Sequence, residues 1–169
     1  MAVFWVDTDT LLNLPDFRAH EKLVQTAQKL GQRAKEDLYL QTLTPKHPLI
    51  ADLEAGNLKK FYQRELKTRK ELGYPPFFTL VKLTYTSKSV AKTGLEAEKL
   101  YEKLLAVSTK QLAIEVSPPY EPYSKTPRKI RLNMAIKIES NPNIEQDLDK
   151  LSKVISTDWR VEVDPESLL

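Results

Sequence analysis

Six basic side chains stand between positions 59 and 70: Lys59, Lys60, Arg64, Lys67, Arg69 and Lys70, against one carboxylate, Glu65. Ammonium and guanidinium groups at this density suit the neutralisation of a phosphate backbone, which gives affinity without base specificity. The plainer alternative is a solvated helix face, because amphipathic helices ordinarily carry their charge outward. A second basic stretch, SKTPRKIRLN, holds Lys125, Arg128, Lys129 and Arg131, followed by Asn133. Its plain reading is a hairpin edge protected by charge. Tyr120 and Tyr123 lie in the Pro-rich segment before it, where stacking on bases competes with simple packing.

Other chemistries have little material. The chain has no cysteine, which removes disulfides and thiolate metal sites and fits a cytoplasmic protein. His20 and His47 are the two histidines, with no cluster around them that predicts a metal site. His20 reads as a solvated helix residue. Asp7 and Asp9 follow a strand and read as capping or turn residues. No nucleophile–base pair or glycine-rich phosphate loop is present, and four glycines offer little for such a loop. No cofactor is expected. The net charge of +3 is small, so its distribution matters more: basic at 59–70 and 125–131, acidic over the last nine residues. No apolar run reaches membrane-spanning length, and no membrane partner is expected.

The elements that must position these residues fall into two patterns. Ala2–Val6, a helix from Pro15-Asp16 to Gly31, and Leu38–Leu43 read as a strand, helix and strand with parallel pairing. A two-stranded parallel sheet is incomplete by itself, so this part reads as a piece of a larger α/β sheet. A short helix over 47–54 and the basic helix follow. In the basic helix Leu58, Tyr62, Leu66 and Leu72 recur at helical spacing as its apolar side. Gly73 and Pro75-Pro76 end it. Then come a strand at 78–86, a long helix at 89–107, a strand at 112–116, an alternating strand at 130–139, a helix at 143–155 and a strand at 159–163. That order, βαββαβ, is the ferredoxin-like split βαβ arrangement.

Four stretches carry a resemblance: DTDTLLNLPDFRAHEK (7–22), QTLTPKHPLI (41–50), FYQRELKTRKELGYPPF (61–77) and VEVDPESLL (161–169). In order and spacing they resemble the C-terminal part of the bacterial primosomal protein N' family, the replication-restart DNA helicases. The resemblance implies that residues 1–72 are the remnant of a second RecA-like helicase lobe with a basic linker helix. It implies that residues 73–169 are the family's C-terminal domain, a ferredoxin-like module that binds DNA and partners. The family's P-loop, DEAH-type box, zinc-binding cysteines and N-terminal 3'-end-binding domain have no counterpart in these residues.

The last helicase motif departs from the family. Where the family reads Gln-Val-Ala-Gly-Arg-Ala-Gly-Arg, this chain has Lys29-Leu30-Gly31-Gln32-Arg33-Ala34-Lys35-Glu36. Arg33 and Ala34 match, and the final arginine, which in such motors faces the γ-phosphate, is Glu36. A carboxylate there repels transferring phosphate charge. Family members also read Arg-x-Arg-x-Gln in a region implicated in holding the acidic tail of single-stranded DNA-binding protein; the matching positions are Lys129, Arg131 and Asn133.

The expectation is a non-catalytic module that binds forked or single-stranded DNA and other primosome proteins, acting in replication or repair. One alternative is the C-terminal part of an active ATP-dependent 3'-5' DNA helicase that needs its N-terminal part. The other is a protein–protein scaffold without DNA binding.

Overall fold

A computed structural model describes residues 1–108, 112–122 and 129–169. The chain divides into two compact units, Met1–Thr68 and Arg69–Leu169.

The first unit holds β1 (Val3–Trp5), α1 (Asp9–Leu12), α2 (Ala19–Arg33), β2 (Leu38–Leu40), α3 (Pro48–Glu54) and most of α4 (Leu58–Glu71). β1 and β2 pair in parallel, with Val3 opposite Leu38 and Trp5 opposite Leu40. Leu12, Leu23, Val24, Leu49, Ile50 and Phe61 form its core, with Trp5, Leu11, Leu53 and Leu58 packed against them. α2 continues through Gly31 to Arg33. One helical glycine costs about 1 kcal/mol relative to alanine, too little to stop a helix anchored by buried Leu23 and Val24. α3 begins at Pro48, and the His47 imidazole caps it, Nδ1 accepting from Leu49 N at 3.2 Å. The short helix α1 has no apolar periodicity to announce it. It forms because Asp7 accepts hydrogen bonds from the backbone N and the hydroxyl of Thr10, at 3.2 and 2.6 Å.

The second unit contains β3 (Phe78–Ser87), α5 (Val90–Ser108), β4 (Ile114–Val116), β5 (Ile130–Glu139), α6 (Ile144–Ser152) and β6 (Arg160–Val163). The strands form one antiparallel sheet in the order β4-β5-β3-β6, with Phe78 opposite Glu139 and Ser87 opposite Ile130. Period-two alternation sends Met134, Ile136 and Ile138 of β5 and Val81, Leu83 and Tyr85 of β3 toward α5 and α6. There they meet Ala97, Leu100, Leu104, Leu151 and Trp159.

The opposite face of this sheet is also covered. Leu80, Asn133 and Ala135 are buried there. The segment after β6 is tied to β3: Asp164 N donates to Leu80 O at 2.8 Å, and Lys82 Nζ donates to the main-chain oxygens of Ser167 and Leu169 at 3.1 and 2.8 Å. Tyr120 pairs its backbone with Asn133, and its hydroxyl donates to Leu168 O at 2.6 Å. Burial pushes the Tyr120 phenol up to about 12, with a smaller contribution from Tyr74.

At the end of α4, Gly73 adopts φ +66°. Its N–H donates to Lys70 O, and Tyr74 N donates to Arg69 O at 2.7 Å, closing the helix in a left-handed reversal. A side chain at 73 would be strained in that conformation and would press on Lys137. Lys137 Nζ donates to the Leu72 carbonyl at 2.5 Å and lies 4.7 Å from the Tyr74 ring centre.

Candidate nucleic-acid interface

The helical period sorts the basic residues of α4 into different surroundings. Leu58, Phe61 and Glu65 form the inward stripe, and Phe61 is 3% exposed in the first unit's core. The sequence pattern points instead to Tyr62 and Leu66, which are 44% and 45% exposed, with Leu72 likewise exposed. Both sets repeat at helical spacing, and the inward one is the set that meets Leu23, Val24 and Ile50. With Phe61 inward, Lys59, Lys60 and Lys67 stand on the solvent side.

Arg64 lies at the flank and is held by the Asp52 carboxylate of α3, which is itself buried. Its guanidinium is thus ion-paired within the first unit, while the side chain stays 47% exposed. In the second unit, Arg69 Nη1 reaches Pro75 O at 3.5 Å, and Lys70 Nζ sits 5.9 Å from the Phe77 ring centre.

Beside α4, His20 is half-buried rather than a solvated surface residue. Its Nδ1 lies 3.8 Å from Glu65 Oε2, and its ring meets that of His47 edge-on at 5.8 Å between centres. The Glu65 carboxylate raises the His20 pKa above its ordinary value, partly opposed by burial. Burial lowers that of His47, helped by His20 and Arg64. Among the described residues no group of three or more His, Asp or Glu side chains is arranged to hold a metal ion.

Arg33 is exposed at the last turn of α2, and Glu36 is exposed beyond it, 3.0 Å from the Met1 amino group. Asp9 ties β2's exit to α1. Its carboxylate accepts from Thr42 Oγ1 at 2.6 Å and Leu43 N at 2.7 Å, and the Thr42 bond leads in holding its pKa below the ordinary value. Asp7 turns the chain at φ 64°. Both act as turn residues.

Lys125 and Arg128, with Tyr123, lie outside the described residues. Lys129 is exposed at the start of β5, and Arg131 is partly exposed on the face of the sheet opposite the helices. Asn133 shares that face but is 1% exposed, and its Oδ1 accepts from Thr84 Oγ1 at 2.9 Å. Alternation places Arg131 and Asn133 on one face. Asn133 is the one that pairs with Tyr120, whose hydroxyl in turn holds Leu168. Lys82, absent from the sequence-level candidates, is bound to the segment after β6. A lone lysine in an alternating strand carries no local sign of such a partner.

No protein-family model matches the chain. It is similar to the replication restart protein PriA of several bacteria. It is 30% identical to that of Bacillus subtilis over 97% of this chain and 20% of the relative. Against the Thermotoga maritima protein the identity is 29% over 96% of this chain and 22% of the relative. A stretch of 89 residues is 36% identical to the Treponema pallidum protein, covering 50% of this chain and 14% of the relative. The chain thus spans about a fifth of the length of the relatives that it matches along most of its own length.

Proposed function

We propose that this chain, a homologue over nearly its whole length of about a fifth of the replication restart protein PriA, acts in DNA replication restart. In this reading it is a cytoplasmic DNA-binding and primosome-partner module without catalysis of its own. The observation that carries the reading is the similarity over 97% of the chain to a protein with that name, repeated at 96% in further bacteria.

The fold supports a finer version. The parallel pair β1–β2 joined through α2 favours a RecA-like lobe remnant for the first unit. In the second unit, the strand order β4-β5-β3-β6, with α5 and α6 as the two crossovers, favours a ferredoxin-like domain. Glu36, where the family carries a phosphate-facing arginine, supports the absence of ATP turnover.

Lys59, Lys60 and Lys67 are assigned to forked or single-stranded DNA, as phosphate contacts that steer binding without reading bases. Lys125 and Arg128 are assigned the same role. Lys129 and Arg131 are assigned to the acidic tail of single-stranded DNA-binding protein. Asn133 already accepts from Thr84, so the two cations carry that contact. A lysine where the family has arginine keeps the charge but not the two-pronged geometry.

Fluorescence anisotropy of the purified chain against labelled forked and single-stranded DNA over a salt series tests the reading. Binding that weakens steeply with salt is the expected result. Undetectable binding at low salt would reject the DNA-binding role and leave a scaffold.

A further inference from the structure

Strand β6 is an edge of the second unit's sheet, paired on one side with β3. Asp164 N donates to Leu80 O, so that backbone position faces β3. Antiparallel ladders alternate, so the backbone groups of Arg160 and Glu162 also face β3, and those of Val161 and Val163 point outward. On the helix side of the sheet, Val161 and Val163 are 46% and 50% exposed. They border a groove of about 370 Å³ with Leu148, Leu151 and Ile155. On the other side Arg160 Nε lies 3.3 Å from Glu162 Oε1.

We propose that β6 pairs antiparallel with β6 of a second copy of this chain, about a two-fold axis through Val161. The occupant follows from charge complementarity. Centred on Val161, the pairing sets Arg160 of each copy opposite Glu162 of the other. One four-residue strand thereby supplies two opposite-charge pairs. These are non-hydrogen-bonded positions, where facing side chains approach most closely. Val161 faces its own copy as a hydrogen-bonded pair, using the outward N–H and C=O groups. Val161 of each copy then lies against the other on the groove side, and Val163 comes opposite position 159 of the second copy, removing apolar surface from water. An isologous contact of this kind closes at two copies and leaves no further edge on β6 to propagate. Edge strands are usually guarded by charges that repel a second strand. The Arg–Glu alternation of β6 cancels on self-pairing instead.

Sedimentation velocity of the full chain over a concentration series tests this, with wild type, Arg160→Glu, Glu162→Arg and an equimolar mixture of the two variants. Wild type is expected to dimerise reversibly. Each single variant sets like charges across the axis twice and should weaken the dimer at least about tenfold. The mixture restores opposite charges in both pairs and should dimerise like wild type. Circular dichroism melts confirm that the variants are folded, since an exposed pair contributes little to stability. A wild type that stays monomeric at all concentrations overturns the proposal, leaving the edge to some other strand. So does a dimer that neither variant weakens, or a mixture of folded variants that fails to recover.

Discussion

Replacing Lys59, Lys60 and Lys67 together by Gln removes three charges that stand on the solvent side of α4 while leaving the inward Phe61 stripe intact. Removing one lysine–phosphate pair lowers the magnitude of the log-affinity against log-salt slope by about 0.7 on single strands and about 0.9 on duplex. Three such pairs therefore change the slope by about 2 on single-stranded DNA and by just under 3 on a fork arm. Arg64→Gln supplies the contrast. Its guanidinium is engaged with the buried Asp52 carboxylate, so the substitution leaves that carboxylate without its cation. The expected cost is about 1–3 kcal/mol of stability in the first unit, with little change in slope. The assay is anisotropy of labelled DNA from low to moderate salt, with thermal melts of each variant. Equal slopes for wild type and the triple variant, with both folded, would remove this helix from the DNA-binding surface. A slope change in Arg64→Gln as large as one-third of the triple variant's would refute the sorting of these cations by helix face.

Three further outcomes are expected. His20 gains its stabilising interaction with Glu65 in the charged form, so that contribution is full below the unfolded value of 6.5 and fades as pH rises through the raised folded pKa. His20→Gln should therefore lower the melting temperature more at acidic than at alkaline pH; a uniform decrease would show that the Glu65 interaction is not electrostatic. Tyr120→Phe should cost about 1 kcal/mol and speed amide exchange over 164–169, because the hydroxyl that bonds Leu168 O is removed, and in wild type this phenol should ionise near 12 in an ultraviolet titration. The chain alone should hydrolyse no ATP with or without DNA, and DNA-stimulated turnover that survives rigorous purification would contradict the role given to Glu36.

Short-range chemistry was legible in the residues themselves. Ile130–Glu139 alternates at period two and forms β5 over that span, because one face meets a helix layer and the pleat does the sorting. Gly73 followed by two prolines ends α4, because only a left-handed residue can close that reversal cheaply. The density of cations on α4 was equally plain. Its division was not. Phe61 and Tyr62 are neighbours on one helix, and either could head an apolar stripe; the positions of Leu23, Val24 and Ile50 choose Phe61. That choice turns Arg64 toward Asp52, twelve residues earlier, and leaves three lysines in solvent. Asn133 likewise shares its face with Arg131 by period alone, yet it is buried, paired through its backbone with Tyr120 and through its side chain with Thr84 almost fifty residues earlier. Periodicity states which residues share a face, since that depends on local backbone geometry. What covers the face depends on contacts between distant parts of the chain, and only the folded packing decides it.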